Sequence, residues 1–184
     1  MEGPTPGQPR VRFWVILFIL SWLPILTALV ARARILLDAE WWYRLYEMAP
    51  SAEWLRIYWF LTIPMVALGL LSAAVLLFAG RPSAAMFTTA CFFAAVTVSV
   101  GEVLLMAIIQ FNLTATISSD TGVPQREIGG LQAFIGQSFT ELVYRSLCLS
   151  YLVFSHKVRD SFGPITWSRF RSWLGHQAPP SAAA

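Results

Sequence analysis

Long apolar runs separated by short charged clusters set the character of this chain. A helix must bring roughly 20 apolar residues to cross a hydrocarbon core, because only a fully hydrogen-bonded helix hides its backbone there. Four stretches have that length: Phe13 to Ala31, Ile57 to Ala79, Ala84 to Leu113 and Leu131 to Phe154. The first two carry no charge, the third carries Glu102, and the fourth carries Glu141 and Arg145. The pattern predicts an all-α fold, a polytopic four-helix transmembrane bundle over residues 13–162. Residues 1–12 precede it as a cytoplasmic segment, and a basic-aromatic segment with an alanine-rich, disordered tail follows over 163–184.

The punctuation refines the picture. Pro24 and Pro64 fall inside spans one and two and should kink them, with neighbouring helices re-satisfying the freed carbonyls. Gly80-Arg81-Pro82-Ser83 predicts a tight hairpin between spans two and three. Small residues in span three (Ala84, Ala85, Ala90, Ala94, Ala95, Ser99, Gly101) predict the packing seam of the bundle. Between spans one and two, Ile35, Leu36, Trp41, Trp42, Leu45, Tyr46 and Met48 alternate with charges at helical spacing. That predicts an interfacial amphipathic helix with Trp41 and Trp42 as membrane-interface anchors. A partner or lipid substrate docking there is the functional version of the same reading. Residues 112–130 read as a polar loop with a turn at Asp120 to Pro124 and a glycosylation sequon at Asn112.

Composition agrees with lipid as the solvent. Of 184 residues, 57% are hydrophobic and 12% charged, against roughly 25% charged in soluble domains. The mean hydropathy is +0.60 and the isoelectric point near 9.2. The 13 basic residues lie at the ends of apolar blocks, which suits membrane orientation rather than a phosphate-binding stripe, so nucleic acid is not an expected partner. With both termini inside, the inner face holds Arg10, Arg12, Arg81, Lys157, Arg159, Arg169 and Arg171. The outer face holds Arg32, Arg34, Arg44, Arg56 and Arg126. The bias favours cytoplasmic termini. A cleaved signal peptide ending near Ala31-Arg32-Ala33 would leave three spans, but its apolar core exceeds the usual ~7–15 residues.

Charges inside the spans carry the only chemistry signal, since each costs about 2.5–3.5 kcal/mol at mid-membrane. Gln137, Glu141 and Arg145 recur every four residues and so predict one helix face. Antiparallel packing brings Glu102 to the level of Glu141, giving an intramembrane polar network of Glu102, Gln137, Glu141 and Arg145. Two roles remain open. The network fixes helix register, or two carboxylates share one arginine and leave one acid free to exchange a proton. Cys91 and Cys148 lie in apolar runs at similar depth, where contact is possible. No catalytic set, metal site or cofactor is predicted: His156 and His176 lie outside the spans, and no Ser–His–Asp arrangement can be argued.

At the end of span four, Ser155, Lys157, Val158, Arg159, Ser161 and Phe162 follow a tyrosine-containing helix end at Tyr151. This stretch resembles the C-terminal signature of a bacterial four-span membrane family, the domain of unknown function 2569 family. Phe13-Trp14 could correspond to the aromatic opening of its first span, whereas the Trp and Pro of its last-span motif are missing here. The resemblance implies four spans, an inner-membrane location and no established activity. Lys157, Arg159, Arg169 and Arg171 are then anchors on anionic headgroups at the cytoplasmic face. The expectation is a non-enzymatic accessory protein assembling with another membrane protein. The alternative is a small proton-linked carrier or lipid-handling protein using the carboxylates of spans three and four.

Overall fold

The computed structural model describes residues 13–81, 83–117 and 125–163, with Ile165, Thr166 and Ser168. Among these residues every regular element is a helix: α1 (Phe13–Leu20), α2 (Leu23–Leu37), α3 (Ala39–Met48), α4 (Ala52–Phe78), α5 (Ala84–Ile117), α6 (Gln125–Phe154) and α7 (His156–Phe162).

Among the described residues, three stretches are long and apolar enough to cross a membrane: Phe13–Leu37, Ala52–Phe78 and Ala84–Thr114. Only 22–33% of their most apolar windows is buried, so most of that apolar surface faces outward, as lipid requires. The helix at the expected fourth span, α6, has 30 residues. Gln137, Glu141 and Arg145 make it more polar than the other three.

Helix ends follow local chemistry. Pro24 opens α2, and the chain between α1 and α2 tightens through a Trp22 N–H to Ile19 C=O bond of 3.0 Å. The Tyr144 hydroxyl donates to the Ser21 carbonyl across this break, the kind of external partner a kinked membrane helix needs. Pro64, by contrast, is accommodated inside α4 without ending it. Gly80, at φ 62°, closes α4: its N–H bonds Leu77 C=O and that of Arg81 bonds Leu76 C=O. This is a Schellman stop, and it needs the left-handed backbone that glycine adopts freely.

α5 lies at the centre of the bundle, packed along both α4 and α6, with α2 on α4. Its contact face uses Ala84, Ala85, Thr88, Ala95 and Ser99, all buried; Ala94, expected there, faces outward. Gly101 permits the closest approach, since a Cβ there would lie 2.5 Å from the Tyr58 hydroxyl. That hydroxyl donates to Val98 C=O at 2.7 Å. Two apolar clusters result. One, toward the α7 end, joins Phe18, Trp22, Leu70, Phe92, Leu152 and Val158. The other, toward the α3 end, joins Trp42, Leu45, Leu55, Trp59, Met106 and Ile109.

Two expectations are corrected. Span one does not stop at Ala31: its helix runs to Leu37, which carries Arg32 into the bundle instead of an outer loop. The amphipathic helix exists as α3, capped by Asp38, whose carboxylate accepts from Trp41 N–H at 3.0 Å. Its apolar face, however, turns onto α4, α5 and α6 rather than lipid. Trp42 is fully buried, donates to Ile35 C=O at 2.9 Å and meets the Trp59 ring edge-on at 5.7 Å. Trp41 is half-buried, and exposed Tyr43 and Trp54 are the aromatics that face outward near this end. The indole of Trp42 gains more from a complete apolar enclosure with its N–H satisfied than from a headgroup position.

Candidate functional site

Between the two apolar clusters lies a layer of buried polar side chains from four helices. α2 supplies Arg32, α4 Trp59, α5 Ser99 and Glu102, and α6 Ser138, Glu141 and Arg145, all buried. Arg32 is the hub. Its Nε donates to Glu102 Oε1 at 2.6 Å, one Nη to Glu141 Oε1 at 2.6 Å, and the other to Ser138 Oγ at 3.1 Å. Arginine suits this position because its rigid planar fork directs several donors at once and its charge persists when buried.

The remaining contacts complete the layer. Trp59 Nε1 donates to Glu102 Oε1 at 2.9 Å. Arg145 donates to Glu141 Oε2 at 3.0 Å, to Ser99 Oγ at 2.7 Å and to Ala95 C=O at 3.2 Å. Arg145 Nε is buried without a hydrogen-bond partner. Glu141 thus sits between two guanidinium groups, while Glu102 pairs with Arg32. Two positive and two negative charges form one closed set with no formal excess.

The predicted residues fare differently. Glu102, Glu141 and Arg145 all lie in this layer. Gln137 does not: it is exposed at the edge of that face of α6, and Ser138 takes the place expected for it. Arg32, Trp59, Ser99 and Ser138 were missed. A signal for Arg32 existed, since it follows the first apolar run directly and 19 residues of helix from Phe13 rise roughly 29 Å. The second arginine also changes the chemistry. Two carboxylates sharing one arginine would leave one acid short of a cation, and Arg32 removes that shortage. Both carboxylates are acceptors in charge-assisted bonds from the two guanidinium groups.

Lys157 and Arg159 are exposed on α7, while Val158 beside them is buried. Phe162 packs edge-on against Trp14 at 6.1 Å, so α7 is held against the bundle by its apolar side and offers its basic side outward. Arg169 and Arg171 lie outside the described residues, as do the expected turn at Asp120 to Pro124 and the alanine-rich tail. Cys91 and Cys148 are both free.

Comparison with family models, curated proteins and solved structures finds no match to the chain.

Proposed function

We propose that the chain is a four-span inner-membrane protein with cytoplasmic termini, and that it acts as a non-enzymatic accessory subunit assembling with another membrane protein. The observation that carries this reading is the closed ion layer. Among the described residues, the charged groups deep in the bundle come from α2, α5 and α6 and are engaged with one another, with Trp59 of α4 bonded to Glu102, so they act as a clasp holding four helices in register. What the protein then offers to its surroundings is surface: the apolar belt, the outward side of α3 and the basic side of α7.

Several features support the placement. α6 is long enough to cross, and its charges are neutralised by α2 and α5, which lowers the cost of burying them. Lys157 and Arg159 fall just beyond the end of α6, suited to anionic headgroups on the cytoplasmic leaflet. The four-span layout is also the one implied by the resemblance of the Ser155–Phe162 stretch.

The test is gentle detergent extraction at native abundance, followed by size analysis and identification of what co-elutes. An assembly larger than the bare chain, recovered reproducibly, is the expected result; a lone monomer in every detergent would refute the accessory role. In sealed vesicles, the purified protein should pass protons and solutes no faster than protein-free vesicles. A flux abolished by Glu141→Gln would instead restore the carrier reading.

A further inference from the structure

Arg145 is one of the two guanidinium groups of the ion layer, and one of its donors is left over. Its Nη1 donates to Ser99 Oγ at 2.7 Å and to Ala95 C=O at 3.2 Å, and its Nη2 to Glu141 Oε2 at 3.0 Å. Its Nε–H, in a residue only 2% exposed, has no acceptor. An unsatisfied donor on a buried charged group is costly, and such atoms are ordinarily met by protein or by an ordered water.

The shape of the guanidinium says where the acceptor belongs. Nε–H and one Nη2 hydrogen lie on the same edge of the planar group and point the same way, the edge that grips both oxygens of a carboxylate in a bidentate pair. Glu141 meets this edge with Oε2 alone. Its other oxygen is drawn to Arg32, whose Nη1 donates to Oε1 at 2.6 Å. One glutamate therefore serves two arginines with one oxygen each, and half of the Arg145 fork stays open. The buried indole N–H groups of Trp14 and Trp22 also lack acceptors, but their case differs. Phe162 crosses Trp14 at 81° and Phe18 crosses Trp22 at 85°, and aromatic faces are weak acceptors. Among the described residues the guanidinium set over a ring is that of Arg56, on Trp42, so Arg145 has no such substitute.

We propose that a single internal water molecule occupies the Nε half of this fork, accepting from Arg145 Nε–H and donating to Glu141 Oε2. The water stands where the second carboxylate oxygen of a bidentate pair would stand, which places it beside Oε2. Among the described residues that oxygen accepts one hydrogen bond, and a carboxylate oxygen has room for a second. Two polar partners are the number an internal water needs at the least. Charge selects the occupant. An anion would unbalance a set of two positive and two negative charges, a cation would face Arg145 directly, and only a neutral group that both accepts and donates suits the two sides. Glu141 keeps 7% exposure, more than Arg32, Glu102 or Arg145, so a water-sized sphere still reaches it. The inference does not depend on the accessory role: the water is what lets one carboxylate hold two guanidinium groups.

The test uses the full-length chain in detergent micelles, with its arginines labelled by nitrogen-15. The Arg145 Nε–H resonance is identified by its disappearance in Arg145→Lys or, should that chain not fold, by its displacement in Ser99→Ala. Rotating-frame transfer from water to this proton should give a cross-peak with the sign of direct contact, opposite to that of chemical exchange. The cross-peak should persist at mildly acidic pH, where guanidinium exchange is slow. A resonance without that contact overturns the proposal. A high-resolution experimental structure reads the same site independently: density bridging Arg145 Nε and Glu141 Oε2 is expected. A bidentate Glu141–Arg145 pair, or a protein acceptor against Nε, overturns it. Either result leaves the accessory role untouched.

Discussion

Arg32 holds two carboxylates and a serine from α5 and α6, so its removal leaves one buried negative charge uncompensated: Glu102 loses its cation, while Glu141 keeps Arg145. Breaking one side of a buried ion pair typically costs about 3–5 kcal/mol. Arg32→Met should lower thermal stability in detergent by that order, more than Trp59→Phe, which removes one hydrogen bond to Glu102 and should cost about 1.5–3 kcal/mol. Adding Glu102→Gln to Arg32→Met should recover part of the loss, a sign that stranded charge rather than lost volume is responsible. Glu102, Glu141 and Arg145 were legible in the sequence because a charge inside an apolar run needs a reason to be there. Gln137 was misplaced by counting in fours. Two steps of four turn a helix about 80° past alignment, whereas the seven residues from Ser138 to Arg145 miss by about 20°. Arg32 stayed hidden for another reason: whether a residue at the end of an apolar run enters the bundle depends on neighbours far along the chain.

At the level of elements, the α4–α5 contact depends on Gly101 lying under the Tyr58 hydroxyl. Gly101→Val should force the two helices apart and lower the melting temperature of the purified protein. Gly101→Ala should be milder and partly rescued by Tyr58→Phe, which removes the nearest atom. The small-residue seam and the Gly80 hairpin were readable locally, from residue size and turn chemistry. The direction of α3 was not. Its periodicity reveals an apolar face and says nothing of whether lipid or protein receives it. The indole of Trp42, enclosed by Leu45, Leu55 and Trp59, answers in favour of protein. Trp42→Ala should therefore destabilise the fold by about 3–5 kcal/mol, whereas Tyr43→Ala on the exposed side should change stability by less than about 0.5 kcal/mol; denaturant titration in a fixed micelle would compare them.

For the whole molecule, the described residues place α3 and the ends of α2 and α4 at one end of the bundle, and α7 with the α4–α5 turn at the other. Single cysteines introduced at Glu47 and at Lys157 should react with a membrane-impermeant maleimide from opposite sides of intact cells, Glu47→Cys from outside and Lys157→Cys only after permeabilisation. The helical class was evident from apolar run lengths, and three of the four expected spans coincide with helices long and apolar enough to cross a membrane. The fourth expected span coincides with a 30-residue helix, α6, but its charges keep it out of the set of helices apolar enough to cross by composition, and their neutralisation by α2 and α5 is visible only in three dimensions. This has a consequence for biogenesis. Ribosomes release α2 and α5 before α6, so Arg32 and Glu102 precede Glu141 and Arg145 into the lipid. A guest segment containing α6 alone, fused to a reporter host, should integrate poorly, and the intact chain should integrate it efficiently. Arg32→Met should leave α6 stalled more often outside the bilayer, making an ion pair formed between early and late helices a checkpoint on membrane insertion itself.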